Sequence, residues 1–216
     1  MPARHGRIVV AAGTNGAGKS VIAGEFLAAR AKGAYFNPDL AAKQMMQKDG
    51  LTLAEANARA WNLGFELLNH SIEHNDDFSF ETTLGGNSIT QALMRAAASG
   101  LDVLIFYVGL DSPERHIARV TARVIRGGHA ITTAKIRERY PNSLANLIKL
   151  LGCASEVRVY DNSAESEDGT PRARLVFSMS QKRIVRPRLQ ALVATAPEWS
   201  KPLVAAANRI HELHRT

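Results

Sequence analysis

Apolar residues in this chain come in short runs separated by longer amphipathic stretches. The first run, Arg7–Ala12, is β-branched at its centre and stops at Gly13, which predicts a buried parallel strand. A glycine-rich turn occupies residues 13–20, and a helix is expected over about 19–32. Ala34-Tyr35-Phe36 reads as a short second strand stopped by Asn37-Pro38. Thr52-Leu53-Ala54-Glu55 has the spacing of a capping box and opens a long helix to about Glu73. Phe78-Ser79-Phe80 alternates into a third strand ending at Glu81, and Gly85-Gly86 leads into a helix over 88–99. Residues 101–110 are the clearest buried strand, after which Asp111-Ser112-Pro113 starts another helix, with proline at a favoured first-turn position.

Gly127-Gly128 breaks that helix, and Thr132 or Thr133 caps the next, which reaches Leu151 with Pro141 as a kink or break. A fifth strand is expected over 156–160. Strands alternating with helices, without internal repeats, predict an α/β fold with a mostly parallel sheet and crossover helices. The remainder differs in character. Residues 161–170 form an acidic, polar loop, residues 171–188 hold six bases and no acid, and 174–180 alternate like an edge strand. Trp199 is expected to pack a final helix onto the body. The chain therefore reads as a single domain, 1–216, with a core of about 7–163 and a C-terminal extension of about 164–216.

Composition narrows the chemistry. With 45% hydrophobic and 22% charged residues in 216, the chain is ordinary globular protein. Lys and Arg (27) exceed Asp and Glu (20) by seven, which favours anionic partners such as nucleotides, sugar phosphates or nucleic acid. One cysteine, Cys153, excludes an intrachain disulfide framework and a Cys-rich zinc site. The seven histidines include no HExxH spacing. No apolar run approaches the roughly 20 residues of a membrane-spanning helix, and the first run is too short for a signal-peptide core. Cytoplasmic residence is the expectation.

Gly13-Thr14-Asn15-Gly16-Ala17-Gly18-Lys19-Ser20 matches GxxxxGK[ST] in full, between an expected strand and an expected helix. Glycines let the backbone curl into a nest of inward N–H groups, and the helix adds its positive end. Lys19 would reach the β- and γ-phosphates, and the Ser20 hydroxyl would ligate Mg²⁺. Binding of a nucleoside triphosphate, ATP or GTP, is the strongest expectation from the residues alone.

In open parallel sheets, ligands sit beyond the carboxyl ends of the strands. The second strand exits into Asn37-Pro38-Asp39, the third into Glu81-Thr82-Thr83, and the fourth into Asp111. Asp39 stands where a kinase would hold a hydroxyl acceptor and take its proton, although it could also cap the helix from Leu40 onward. Glu81 reads as a contact to substrate or magnesium, or as a hydrogen-bonded core acid. Asp111 fits a Walker-B carboxylate and a helix cap equally well. Arg115, Arg119, Arg123 and Arg126 recur at spacings of 4, 4 and 3, which puts them on one stripe under about 90° wide. Such a stripe is either a solvated face or a lid helix whose arginines clamp the triphosphate, with Lys135, Arg137 and Arg139 continuing the positive field.

These residues resemble the zeta toxin family of P-loop kinases, and its short bacterial members in particular. GTNGAGKS, FNPDL, the strand ending in FETT, RVTARVIRGGHAITTAKIRERYPNSLANL and VYDNS follow in that order over about 7–163. The resemblance implies ATP-dependent phosphorylation of UDP-N-acetylglucosamine at its 3′-hydroxyl. It implies Asp39 as general base, Glu81 with Thr82 and Thr83 at the sugar, and Lys19 on the phosphates. Arg126 corresponds to one lid arginine, and Arg115 or Arg119 to the other. Arg123 lies on the same clamp, and Asn162, in Tyr160 to Ser163, falls in the loop near the nucleotide base. The segment between Leu40 and Phe78 is compressed relative to full-length toxins, which leaves the acceptor and toxicity open. No antitoxin-like helical segment precedes the first strand, so any neutralising partner is expected to be a separate chain or absent.

Two other functions compete. One is a nucleic-acid-binding or end-phosphorylating protein, suggested by the basic tail but opposed by its lack of interleaved aromatics. The other is a nucleotide-gated regulatory ATPase without an acceptor.

Overall fold

The computed structural model describes residues 5–20, 35–128, 130–165 and 170–214. The expected helix over 19–32 opens at Lys19-Ser20 and otherwise lies outside the described residues, as do Ala34 and His129. Seven strands form one sheet: β1 (Arg7–Ala12), β2 (Tyr35–Phe36), β3 (Phe78–Thr82), β4 (Asp102–Gly109), β5 (Glu156–Asp161), β6 (Arg174–Ser180) and β7 (Arg183–Arg186). Their order is β2-β3-β1-β4-β5-β6-β7. The first five run parallel, and β6 and β7 add antiparallel.

Burial explains why β1 sits at the centre. Ile8, Val10 and Ala12 face one core with Phe80, Val103, Ile105 and Tyr107, while Val9 and Ala11 face a second with Leu104, Phe106 and Val108. A strand apolar on both sides is stable only when both faces of the sheet are covered. Register follows from that: Ala11 lies opposite Glu81, and Ala12 opposite Thr82 and Tyr107. The carboxyl ends of β1, β3 and β4 therefore finish together.

Among the described residues the helices are α1 (Pro38–Asp49), α2 (Leu53–His74), α3 (Asn87–Ala98), α4 (Pro113–Ile125), α5 (Thr133–Leu151), α6 (Leu189–Thr195) and α7 (Lys201–Leu213). The capping box forms as expected, with Thr52 and Glu55 each bonding the other's backbone N–H. Ala56, Ala60, Gly64, Leu68 and Ser71 make the buried stripe of α2. Gly64 is required by close approach: a Cβ there would lie 2.5 Å from the Phe36 ring on β2.

α5 continues helically through Pro141. The interior proline costs about 3 kcal/mol, but the turns beyond it bury Leu147, Leu150 and Leu151. Burial at about 1.5–3 kcal/mol per side chain outweighs that cost. The basic segment 174–180 is corrected in one respect: β6 is an interior strand with Val176, Phe177 and Met179 buried, and β7 is the edge. Alternation reveals a strand but not its neighbour, here supplied by a hairpin through Gln181 and Lys182, both at positive φ.

Trp199 packs as expected. It is buried, its indole N–H donates to Asp161 Oδ1 at 3.1 Å, and its ring leaves no room for a Cβ on Gly109. No helix of the described residues is long and apolar enough to cross a membrane.

Candidate active site

The turn after β1 has the geometry its glycines predict. Gly13, Gly16 and Gly18 have φ of 141°, 83° and 90°, in the region where side chains are strained. Added Cβ atoms would also meet Val108 O at 2.2 Å, His116 O at 2.7 Å and Asn162 Nδ2 at 2.6 Å respectively. Lys19 Nζ folds back to donate to Gly13 O at 2.9 Å. Burial lowers the Lys19 pKa, opposed by the charges of Glu81 and Asp39 and reinforced by Arg123 and Arg139. These four groups mark what surrounds the lysine head.

Three distant elements brace this loop. His116, on the buried face of α4, donates Nδ1–H to Asn15 O at 2.9 Å. Its burial pushes its pKa down to about 4. Asn162, just past β5, donates to Ala17 O at 2.8 Å, and Arg139 of α5 donates to Asn15 Oδ1 at 2.8 Å. Asn162 thus lies against the loop itself, with its Oδ1 buried and unbonded among the described residues.

Glu81, the penultimate residue of β3, lies beside the loop and is buried. Its Oε1 accepts from Ser20 Oγ at 3.0 Å, Tyr35 OH at 2.5 Å and Asn37 Nδ2 at 3.0 Å. Burial and the Glu81 bond push the Tyr35 phenol pKa up, which keeps it a donor. Asp111 does not occupy this position. It accepts from Arg115 and Ser112 instead, and Ser112 caps α4.

Asp39 proves free of capping. Asn37 is the cap of α1, accepting from Leu40 N at 3.1 Å, and Pro38 precedes Asp39 in the first turn. The half-exposed Asp39 carboxylate faces Arg123 Nη1 at 3.5 Å. The other stripe arginines diverge. Arg115 pairs with Asp111, Arg119 with Glu165 at 3.4 Å, and Arg126 at the exposed end of α4 donates Nε to Ala122 O.

A cavity of about 840 Å³ opens next to the loop. Asn15, Asp39, Glu81, Thr82 and Thr83 line it, with Trp61 and Phe65 of α2 stacked at 5.1 Å on its wall. Thr82 Oγ1 and Thr83 Oγ1 accept from Leu84 N and Gly85 N, and Asn146 Nδ2 holds Leu84 O and Gly86 O. The site thus combines an anion cradle with a carboxylate-bearing pocket of a size that suits a small molecule.

With this geometry in place, comparison with known proteins decides the family. The family described as "Zeta toxin" matches residues 2–168. The chain belongs to the zeta toxin family. A Haemophilus influenzae protein described as uncharacterized is 32% identical over 137 residues, 59% of this chain and 88% of that one. Among solved structures, AvrRxo1-ORF1:-ORF2 with ATP is similar at a TM-score of 0.63 and 13% identity, covering 98% of this chain and 77% of that one. The PezAT chromosomal toxin-antitoxin system of Streptococcus pneumoniae is similar at 0.55 and 12%, covering 99% and 88%. At such identities the likeness is one of fold, that of P-loop kinases.

The zeta toxin site also fits a magnesium ion brought with a nucleotide. Among the described residues no cluster of three or more His, Cys, Asp or Glu could cage a metal alone. Mg²⁺ usually takes one or two protein oxygens and completes its shell with phosphates and water. Ser20 Oγ and Glu81, already side by side, are such a pair.

Sequence reasoning passed over His116, Tyr35 and Asn146 as parts of the site, and took Arg139 only as part of a positive field. His116 leaves one trace, since it and Val120 lie one turn apart on the apolar face of α4. Nothing local to Tyr35 or Asn146 marks the bond each makes in the site.

Proposed function

We propose that this protein is an ATP-dependent small-molecule kinase. It transfers the γ-phosphoryl group to a sugar hydroxyl, with UDP-N-acetylglucosamine or a related nucleotide sugar as acceptor. The observation that carries this reading is that one cavity joins the loop residue Asn15 to the carboxylates Asp39 and Glu81.

Loop N–H groups and Lys19 hold the phosphates, and Asn162 and His116 keep the loop in shape. Asp39 takes the proton of the acceptor hydroxyl while that oxygen forms a bond to the γ-phosphorus. The bond from phosphorus to the β–γ bridging oxygen breaks, and its electron pair leaves with ADP. Ser20 and Glu81 would hold Mg²⁺, which supplies neutralisation of charge on the β- and γ-oxygens. Thr82 and Thr83 line the acceptor side, and Arg119, Arg123 and Arg126 are the lid arginines of this reading. A separate antitoxin chain is proposed as a partner on the strength of the family and of the PezAT likeness.

The test is incubation with Mg-ATP and a panel of UDP-sugars, free sugars and oligonucleotides, read by mass spectrometry. A gain of one phosphoryl group on a UDP-sugar is expected, lost in Asp39→Asn with ATP binding retained. ATP turnover untouched in Asp39→Asn, with no phosphorylated acceptor, would favour a regulatory ATPase instead. Phosphorylated oligonucleotides would move the function to nucleic-acid ends.

A further inference from the structure

Arg139 belongs neither to the arginine stripe nor to the phosphate-binding motif, yet it reaches the centre of the site. It projects from the second turn of α5, and its Nη1 donates to Asn15 Oδ1 at 2.8 Å. Its aliphatic stem lies across Gly85, where a Cβ would come within 2.6 Å of Arg139 Cγ and 3.1 Å of its Cβ. Gly85 has no positive φ, so close approach to Arg139 is what a side chain there would violate. Arg139 also lines the cavity that holds Asp39 and Glu81.

Its charge is handled unlike that of the stripe. Arg115, Arg119 and Arg123 each face a carboxylate, and Arg126 turns to its own helix. Arg139 is held by a neutral amide and forms no ion pair among the described residues. A purely structural arginine would be better served by an acid, because a charge-assisted bond is roughly twice as strong as a neutral one. An amide positions a guanidinium without cancelling its charge.

We infer that Arg139 is a catalytic residue whose guanidinium contacts the γ-phosphoryl group as it passes from the loop to the acceptor. This rests on the kinase reading and deepens it. One Nη is engaged by Asn15, and the rest of the planar fork is available to phosphoryl oxygens. Arg139 moves no proton. It stabilises charge spread over the three equatorial oxygens while the acceptor oxygen bonds to phosphorus and the ADP oxygen departs. Asn15 is the positioning residue that aims it.

The test uses the full chain as wild type, Arg139→Ala, Arg139→Lys and Asn15→Ala, with Arg95→Ala as an exposed control whose side chain bonds Asn69. Calorimetry measures binding of Mg-ATP and of Mg-ADP with aluminium fluoride, a planar mimic of the phosphoryl in flight. Turnover is followed with and without millimolar guanidinium chloride. Arg139→Ala should lose about 10²–10³-fold in turnover and comparably in affinity for the fluoride complex, with ATP affinity changed less than about threefold. Guanidinium should restore part of the turnover, Lys should restore little, and Asn15→Ala should fall in the same direction by less.

Equal losses in ATP and fluoride-complex affinity, without guanidinium rescue, would make Arg139 a brace of the loop and overturn the inference. So would unchanged turnover. A wild-type chain that binds neither ligand would overturn the kinase reading itself. One that binds both while Arg139→Ala does the same overturns only the role of Arg139.

Discussion

The hydroxyl of Ser20 donates to Oε1 of Glu81 at 3.0 Å, tying the end of the phosphate loop to the strand beside it. The same oxygen collects Tyr35 and Asn37, so three donors from two segments converge on one carboxylate. Glu81→Gln keeps the shape and removes the charge. Turnover should fall about 10–100-fold, and the Mg²⁺ concentration for half-maximal activity should rise, as removal of a metal-orienting group does elsewhere. A magnesium titration of turnover checks this; an unchanged half-saturation point would remove Glu81 from the ion's surroundings.

Lys19 is the loop's own cation and is bonded to Gly13 O. Arg123 and Arg139 stand near it but project from other helices. Lys19→Ala should therefore abolish transfer, at least about 10²-fold in turnover, and also weaken nucleotide binding, because it acts on ground state and transition state alike. Calorimetry with Mg-ATP and a turnover assay separate the two effects. Full affinity with lost turnover would mean that Lys19 acts only on the transition state.

His116 makes stability depend on pH in a window of its own. Burial lowers its folded pKa from 6.5 to about 4, so between those values the unfolded chain binds the extra proton. The stabilisation is fully present above about pH 6.5 and is lost as pH falls toward 4, amounting to about 3 kcal/mol. Asp111 and Glu114, whose pKa values are lowered by Arg115 and Arg137, contribute below that window. His116→Gln should lower stability at pH 7.5 and flatten the slope between pH 6.5 and 4.5. Denaturant midpoints across that range are the measurement, and an unchanged slope would place the acid sensitivity elsewhere.

What could be read ahead of the structure divides along a physical line. β1, the glycine turn, the Thr52–Glu55 cap and the strand ending at Glu81 follow from local rules: periodicity, φ preference and side-chain reach over three residues. Asp39 as a strand-exit acid was equally visible. The cap it was suspected of forming belongs to Asn37, because Pro38 fits the first helical position and fixes the cap one residue earlier. The contacts that brace the loop could not be seen, although the resemblance had marked Asn162 as near the nucleotide. His116, Arg139 and Asn162 stand 101, 124 and 145 residues from the loop positions they bond, and their meeting depends on strand order. For the same reason β6 looked like an edge when it is an interior strand.

The C-terminal extension carries a last prediction, since Trp199 ties it to the site-bearing sheet. Its ring lies against Gly109 at the end of β4, and its N–H bonds Asp161 at the end of β5. Asp161 also accepts from Ser163, one residue past Asn162, which braces Ala17. Removing the ring empties a buried space and frees the Asp161 contact together. Trp199→Ala should cost about 3–5 kcal/mol of stability. Trp199→Phe should recover most of the packing but not the hydrogen bond, and so cost about 1–2 kcal/mol. If the bond also helps set the loop after β5, Trp199→Phe should weaken ATP binding measurably while remaining folded at the assay temperature. Chemical denaturation and calorimetry on both variants decide this. Wild-type ATP affinity in the Phe variant would confine Trp199 to holding the extension.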